Sequence, residues 1–410
     1  MSRTYDLVLL GATGYTGKLT AEHIASALPT DLRWAIAGRN EKKLAAIAED
    51  LKKQNPDRSQ PGIEVVQLQR GELDTLARKT KLIISTVGPF MHYGTPVVEA
   101  CAINGTHYVD CTGEVPWVKE MIDKYHETAR ANGAIMIPQC GVDSVPADII
   151  SYVVASHIRR KLNAGTSEVV TSAKIKGVPS GGTLLTILSL FDHYSLSQIT
   201  SALKPFALSP VQPPPTNSSP NSSLFTKVFG VRSDQDLGLL TDWVGATVDT
   251  AIVQRSWGLL DGGKLYGANF KFSEWMVAKS TFAGSMVHFA MVFGMAMLAL
   301  PPVRWALKKV VYQPGDGPTS EDTKNDFAQY KAVGIADTDK HERAIAQFGF
   351  KGGLYYLTGL TIAEAAMVIL SGKETEAKKQ GGGILTPATL GDEYVQRLRD
   401  ANVKIDVKLI

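Results

Sequence analysis

Near the start of the chain, the segment Gly11-Ala-Thr-Gly14-Tyr-Thr-Gly17 separates the apolar run Tyr5–Leu10 from a stretch with helical periodicity that begins at Lys18. Strand, turn and helix in this order bring backbone N–H groups and a helix N-terminus to the pyrophosphate of a nicotinamide or flavin dinucleotide. Gly11 permits the tight turn, Gly14 leaves room for the phosphates, and Gly17 lets the helix pack close to the sheet. The pattern predicts nucleotide contacts from Gly11, Thr13, Gly14, Tyr15, Thr16 and Gly17.

The residues after the second apolar strand, Leu32–Ala37, indicate which nucleotide binds. An acidic residue at this point would bind the ribose 2′-OH of NAD, whereas an arginine accommodates the 2′-phosphate of NADP. The strand is closed by Gly38, Arg39 and Asn40, with no Asp or Glu among them. Arg39 and Asn40 are therefore predicted to bind NADP(H). The alternative is that Arg39 is a solvated residue ahead of the next helix.

Six short apolar strands alternate with helical stretches over the first 150 residues. This alternation is typical of an α/β fold with a Rossmann-like, doubly wound parallel sheet. We expect a nucleotide-binding domain over residues 1–150 and an α+β substrate domain inserted over residues 151–350. Residues 351–410 are expected to form C-terminal helices that pack back on the first domain.

Candidate catalytic residues follow the later strands, whose carboxyl ends are where such sheets bind ligands. Val87, Gly88 and Pro89 are predicted to form a wall of the nicotinamide site, with an ordinary strand-to-helix connection as the alternative. The segments Asp110–Glu114 and Gly141–Asp148 are two further predicted edges of the site. From this region Tyr93, Asp143 and Ser144 are the candidates for hydrogen-bond donor and acid. Capping of the helix that Pro146 opens would equally explain Asp143 or Ser144.

Composition excludes several function classes. Lys+Arg number 43 and Asp+Glu number 40, a nearly balanced and intermixed set that does not predict nucleic-acid binding. The three cysteines have no metal-ligand spacing, so no metal site is predicted. The N-terminus enters a strand without a signal sequence, and a cytoplasmic, reducing location is expected. Each cysteine is interpreted as a small buried residue rather than a nucleophile.

Residues 280–303 carry no Asp, Glu, Lys or Arg, and Arg304, Lys308 and Lys309 follow. The segment is long enough to cross a bilayer. Polar residues in its first half, including His288, and the pair Pro301-Pro302 at its end favour instead a buried or membrane-surface helix, which could line an acyl-chain site. His288 is a further candidate proton donor, although a lone histidine in an apolar helix is more often a core residue.

Together these motifs resemble the saccharopine dehydrogenase-like oxidoreductases, and within them the branch that includes trans-acting enoyl reductases and the animal saccharopine dehydrogenase-like protein. The motifs that carry the resemblance are Gly11–Gly17, Ala37–Arg39, Val87–Phe90 with Tyr93-Gly94, Tyr108–Asp110 with Thr112–Glu114, Gly141–Pro146, Ser180–Thr183 and Leu385–Ala388. The resemblance implies NADPH-dependent hydride transfer to an activated double bond, most simply the C=C of an enoyl acyl substrate that is free or carrier-bound.

Two alternatives to the enoyl reductase stay open at this point. One is a saccharopine-type C=N oxidoreductase, which would need Arg or Lys residues for the substrate carboxylates that cannot be placed in this sequence. The other is a non-enzymatic nucleotide-binding protein associated with a membrane or lipid droplet. The partners that remain to be distinguished are a polyketide or fatty-acid synthase, a membrane or lipid-droplet surface, and a second copy of the chain.

Overall fold

The computed structural model describes residues 3–178, 181–214, 223–309, 317–319 and 321–410, with only the backbone described for residues 181–184. The described residues form two seven-stranded sheets with helices packed on them. Of the Ser180–Thr183 motif, Ser180 lies outside the described residues, and the other three positions are known only as helical backbone.

The first sheet is parallel and carries the glycine-rich segment. Its strands are β1 (Tyr5–Leu10), β2 (Trp34–Gly38), β3 (Gly62–Val65), β4 (Thr80–Ser85), β5 (His107–Asp110) and β6 (Ile135–Ile137). Helices α1 (Tyr15–Ala27), α2 (Glu41–Gln54), α3 (Arg70–Lys79), α4 (Phe90–Tyr93), α5 (Thr95–Asn104) and α6 (Val115–Ala131) connect them. The order is β6-β5-β4-β1-β2-β3, and residues 383–384 add a short strand beside β6. Because both faces are covered, the central strand is buried along Leu7–Leu10. The predicted Rossmann-like sheet is confirmed.

The second sheet is mixed and forms the other half of the molecule. In chain order the remaining elements are α7 (Val145–Leu162), β7 (Thr166–Lys176), α8 (Gly181–His193), α9 (Leu196–Ala202), α10 (Leu224–Phe229), β8 (Val231–Asp234), β9 (Gly238–Thr241), α11 (Ala246–Leu259), β10 (Lys271–Val277), α12 (Thr281–Leu298), α13 (Pro301–Lys308), β11 (Phe327–Ala336), β12 (Arg343–Lys351), α14 (Leu354–Leu370), α15 (Glu376–Lys379), β13 (Gly383–Ile384), α16 (Gly391–Asp400) and β14 (Lys404–Leu409). The sheet order is β14-β12-β11-β7-β10-β9-β8, in which β7 and β10 are parallel and the other pairs are antiparallel.

The C-terminal segment contributes to both sheets, because β13 joins the first and β14 joins the second. Ahead of both strands in the chain, α14 packs against α1, the helix that follows the glycine-rich turn. The two helices cross so closely that a Cβ on Gly359 would lie 2.9 Å from the backbone nitrogen of Thr20. The buried Glu364 of α14 binds His23 of α1 at 2.9 Å and Arg397 of α16 at 2.6 Å. This ionic cluster fixes α1 in position. The division of the chain at residues 150 and 350 stays a prediction.

The apolar segment 280–303 is two helices, not one. The first, α12, ends at Leu298, and α13 begins at Pro301, as expected for a proline at the first position of a helix. Of the two alternatives favoured for this segment, a buried helix is wrong for α12, because only 6% of it is buried in the protein, and a membrane-surface helix stays a prediction.

Candidate active site

The glycine-rich turn has the geometry that its sequence predicts. Gly11 adopts a φ of +93° and donates its N–H to the carbonyl of Ala37 at 2.9 Å. A Cβ on Gly17 would lie 2.1 Å from the carbonyl oxygen of Gly11, so only glycine lets α1 start this close to β1. Gly11 and Gly17 therefore set the shape of the turn.

The N-terminus of α1 is open to a ligand. Gly14 is its N-cap, with no side-chain cap and no acidic residue in the first turn. A Cβ on Gly14 would approach only the Gly11 carbonyl, at 3.4 Å, so the protein itself does not require glycine here. Glycine leaves room for a ligand beside the first N–H groups of α1, which no side chain of the described residues caps, and this is the cradle that a pyrophosphate needs. The residues present therefore fit NADP(H).

Thr13, Arg39 and Asn40 lie beside this turn. A Cβ on Gly38, the last residue of β2, would be 4.0 Å from Thr13 Oγ1. Arg39 follows it and is exposed, and within the described part of the chain its guanidinium has no hydrogen bond or ion pair. Asn40 has a structural role, since its Oδ1 accepts the N–H of Lys43 and caps α2. Arg39 is thus a free cation at the place where the 2′-phosphate is expected.

Tyr15 and Thr16 are the first residues of α1, and their backbone belongs to the cradle. The Tyr15 hydroxyl donates to the carbonyl of Pro318 at 2.7 Å, and its ring packs edge-on against Tyr355 with centroids 5.1 Å apart. The side chain of Tyr15 therefore makes its contacts with Pro318 and Tyr355 of the protein itself. The carbonyl of Thr16 accepts the Thr20 hydroxyl at 2.8 Å within α1.

Val87, Gly88 and Pro89 form a wall next to Gly11. A Cβ on Gly11 would be 2.8 Å from Val87 Cγ2, and the Gly88-Pro89 peptide is cis. The buried Glu114 stabilises the residues that follow this wall. Its carboxylate accepts hydrogen bonds from the N–H groups of Phe90 at 2.8 Å and Met91 at 2.6 Å. Desolvation raises the pKa of Glu114 to about 7, against the effect of these two hydrogen bonds.

Asp110 plays a comparable part at the end of β5. Its carboxylate accepts the N–H groups of Thr112 and Gln139 and the hydroxyl of Tyr108, at 2.8–3.0 Å. Burial raises the pKa of Asp110 to about 6. The Asp110–Glu114 edge predicted from the sequence thus contains two carboxylates that organise loops. Burial also raises the pKa of the Cys111 and Cys140 thiols, which makes them poor nucleophiles.

The three predicted catalytic residues are divided between two strand ends. Tyr93 ends α4 after β4 and is 43% exposed, whereas Asp143 and Ser144 follow β6, with β5 between them and Tyr93. The Ser144 hydroxyl is buried, and among the residues that the structure describes it has no hydrogen-bond partner and α7 has no side-chain cap at its N-terminus. Capping therefore does not explain Ser144.

Asp143 is accessible, and its Oδ2 would be 3.9 Å from a Cβ on Gly113. Surrounding protein nevertheless raises its pKa by desolvation. Burial raises the pKa of Asp249 on α11 and of Tyr330 on β11, and the charge of Asp143 adds to both shifts. Asp143 thus extends from the first sheet towards the elements of the second.

The sequence did not single out two further carboxyl groups at this boundary. Asp249 and Glu274 of β10 are 1% and 4% exposed. Apart from the hydrogen bond that the two carboxyl groups share, no residue in the described ranges donates to Asp249 Oδ1 or to either Glu274 oxygen. Desolvation raises the pKa of both groups, and the charge of Glu274 raises that of Asp249 further. The pair therefore retains a proton under conditions in which ordinary carboxyl groups are ionised. Only the pairing of β10 with β7 and the packing of α11 reveal this cluster.

His288 is not at this site. Its Nδ1 lies 2.5 Å from Asp242, an ion pair that holds α12 to the end of β9. The described residues also contain no group of three or more His, Cys, Asp or Glu side chains arranged to hold a metal.

Known proteins match both the sheet and the whole chain. Residues 7–137 match the family described as the saccharopine dehydrogenase NADP binding domain, which confirms NADP(H) as the cofactor. Proteins named trans-acting enoyl reductase from Mycobacterium ulcerans and Mycobacterium tuberculosis (strain ATCC 25618 / H37Rv) are 31% and 32% identical to this chain. Each alignment covers 98% of this chain and 97% of the relative.

A solved structure shows the same fold at low sequence identity. Apo saccharopine dehydrogenase (L-Glu forming) from Saccharomyces cerevisiae has a TM-score of 0.57 to this chain at 10% identity, and covers 99% of this chain and 100% of its own. Fold, nucleotide domain and full-length relatives agree. The chain is an NADP-dependent oxidoreductase that belongs to the saccharopine dehydrogenase-like family, in the branch of the trans-acting enoyl reductases.

Proposed function

We propose that this oxidoreductase reduces the C=C bond of an α,β-unsaturated acyl thioester with NADPH. The observation that carries the proposal is the carboxyl cluster of Asp143, Asp249 and Glu274 at the boundary of the two sheets. In the part of the chain that the structure describes, no Lys or Arg forms an ion pair with any of the three. Anionic groups disfavour a substrate with several carboxylates, such as saccharopine, and tolerate a neutral acyl chain.

The reaction needs a hydride at the β-carbon and a proton at the α-carbon. NADPH would supply the hydride when bound, and the glycine-rich turn, Arg39 and the Val87–Pro89 wall are the residues that would hold it. Asp143 is the accessible carboxyl group, and we assign it the delivery of the proton to the α-carbon. Desolvation by the surrounding protein raises the pKa of Asp143 and so favours its protonated form, and Asp249 and Glu274 are its neighbouring carboxyl groups. Tyr93 and Ser144 are the candidate donors to the thioester carbonyl.

The relatives support a carrier-bound substrate. They are named for reduction in trans, that is, by a protein separate from the one that carries the acyl chain. We therefore propose a polyketide or fatty-acid synthase as the partner that presents the enoyl group.

The test compares substrates and then variants. Purified protein with NADPH is given enoyl thioesters on coenzyme A or on an acyl carrier protein, and separately an amine with a 2-oxo acid, with NADPH consumption measured by absorbance. We expect turnover of the enoyl thioesters only, and in D2O the deuterium is incorporated at the α-carbon. Consumption with the amine and oxo acid, or none with any enoyl thioester by protein that binds NADPH, refutes the proposal.

The variant Asp143→Asn tests the acid. It should lower kcat by about 10²–10⁴-fold, the usual contribution of a positioned acid, and leave the NADPH dissociation constant unchanged. Asp400→Asn, an exposed carboxyl group on α16, is the matched control and should have wild-type kcat. Equal rates for Asp143→Asn and the control would remove Asp143 from the mechanism.

A further inference from the structure

Helix α12 presents an apolar side to solvent along its whole length. Phe282, Phe289 and Phe293 are 76%, 52% and 67% exposed, and Met286, Val292 and Met295 are each more than half exposed. Helix α10 packs beside α12 and adds Leu224 and Phe225, while α13 adds Trp305. Soluble proteins rarely expose a contiguous apolar patch of more than a few hundred Å², and larger ones mark an interaction site. We call the exposed side of α10, α12 and α13 the apolar face.

Both ends of α12 form polar contacts with the rest of the protein. At the start, the Gly284 carbonyl accepts the Thr241 hydroxyl at 2.8 Å, and one turn later His288 pairs with Asp242. At the end, the Arg304 guanidinium donates to the carbonyls of Leu298 and Ala299 at 2.8 and 2.9 Å and binds Asp192 of α8 at 2.7 Å.

These anchors decide how the helix can meet a membrane. Eighteen residues extend about 27 Å, close to the hydrocarbon thickness of about 30 Å, so length alone would permit a span. A span would require the two ends to lie on opposite sides of the bilayer. Because β9 and α8 both belong to the same body and both hold the helix, α12 lies along a surface instead.

The charges that border the apolar face indicate which kind of membrane surface it would bind. From Lys279 to Lys309 the sequence contains no Asp or Glu, and its four cations stand at the two ends: Lys279 before α12, and Arg304, Lys308 and Lys309 after it. Asp192 neutralises part of the second group. Exposed Trp305 lies among these cations, with Lys309 Nζ 3.5 Å from its ring centroid. Cations and a tryptophan bordering an apolar strip are what the headgroup region of an anionic phospholipid bilayer binds.

A second copy of the chain fits less well. If α12 packed against α12 of another copy in an antiparallel arrangement, Lys279 would face the cations after the partner helix. A parallel arrangement would place like ends together. Either arrangement brings cations against cations, with no acidic residue in residues 279–309 to compensate.

We propose that the apolar face inserts in the plane of one leaflet of an anionic phospholipid membrane, and so holds the protein at the membrane surface. This inference concerns attachment and is independent of the acyl substrate proposed above.

The test is cosedimentation with vesicles of phosphatidylcholine alone and of phosphatidylcholine with phosphatidylserine at a molar ratio of about 3:1. Wild-type protein should bind the mixed vesicles more tightly. The double variant Phe282→Asp/Phe293→Asp should lose about a hundredfold in partitioning, since burying each apolar side chain is worth about tenfold. Leu196→Asp changes an apolar residue of α9 that is 60% exposed, and should bind like wild type.

Two further measurements keep the proposal open to refutation if the double variant folds poorly. Lys279→Glu/Lys309→Glu changes exposed cations only and should abolish the preference for phosphatidylserine. Lipids brominated near the headgroup should quench tryptophan fluorescence in the wild type and much less in Trp305→Phe. Wild-type protein that binds neither vesicle, or Asp variants that bind as wild type, overturn the proposal. So does a wild-type dimer that binds no vesicles and that the double variant dissociates, because that result assigns the face to a second copy.

Discussion

Replacing Arg39 with alanine should weaken NADPH binding and leave NADH binding almost unchanged. The side chain is exposed, follows β2 directly, and makes no contact in the described residues that stabilises the fold. Its removal therefore creates no buried gap and orphans no partner. The change in the free energy of unfolding should stay within about 0.5 kcal/mol, as for most surface substitutions.

The magnitude follows from the chemistry of the lost contact. A hydrogen bond between a guanidinium and a phosphate is worth about 1.5–3 kcal/mol, and exposure to water and salt places this one toward the lower end. Since 1.4 kcal/mol is tenfold in affinity, the NADPH dissociation constant should rise about 10- to 100-fold. The NADH dissociation constant should change by less than about twofold, because NADH lacks the 2′-phosphate.

Fluorescence titration with NADPH and with NADH measures both constants. Arg78→Ala removes an exposed arginine from α3 and is the matched control. The increase for Arg39→Ala should diminish at high salt, because the lost interaction is a screened charge pair. Equal factors for NADPH and NADH would refute the assignment of the 2′-phosphate to Arg39.

Three further outcomes test the cradle and the carboxyl groups. Gly17→Ala places a Cβ 2.1 Å from the Gly11 carbonyl oxygen, and it should lower the free energy of unfolding in urea by about 1–3 kcal/mol and weaken NADPH binding. The control Gly71→Ala has open space around its Cβ and should change neither quantity. Equal losses for the two variants would contradict the steric argument. Glu114→Gln leaves one acceptor oxygen for the N–H groups of Phe90 and Met91, and it should lower the free energy of unfolding by about 1–3 kcal/mol. A melting temperature equal to that of the wild type would show that the loop needs no anion. Burial raises the pKa of Glu274, so its contribution to stability is present below the ordinary carboxyl range and is lost as the pH rises towards neutrality. Stability of Glu274→Gln should therefore fall less than that of the wild type between about pH 5 and pH 7, and parallel curves would argue against the shared proton.

The nucleotide site was accessible to sequence reasoning because its parts are local. Gly11, Gly14 and Gly17 act within one strand–turn–helix unit, and Arg39 follows the adjacent strand, so spacing alone places them. The parallel sheet followed from the alternation of strands and helices in the same way. The strand order around β7 did not, because the second sheet pairs strands that are far apart in the chain, such as β7 and β11.

The same limit explains what the sequence analysis missed in the candidate site. Asp249 lies in an apolar helix and Glu274 in an alternating strand, and neither segment contains a motif. Their meeting depends on the packing of α11 on β10. The sequence left burial and a membrane-surface position open for α12 for a related reason, since an apolar composition without charged residues is common to buried, spanning and surface-bound helices.

The carboxyl groups at the boundary of the sheets fall into two kinds, and the difference bears on function. Asp110 and Glu114 are buried, yet backbone N–H groups satisfy their oxygens, so their role in fixing loops accounts for them. Asp249 and Glu274 are as deeply buried, but in the described parts of the chain no backbone N–H group donates to Asp249 Oδ1 or to either Glu274 oxygen. An unsatisfied buried polar group costs about 1–3 kcal/mol, and apolar residues of similar size would avoid that cost. We therefore infer that this pair, which costs stability and raises its own pKa partly through the charge of Asp143, serves the proton transfer that we propose for Asp143.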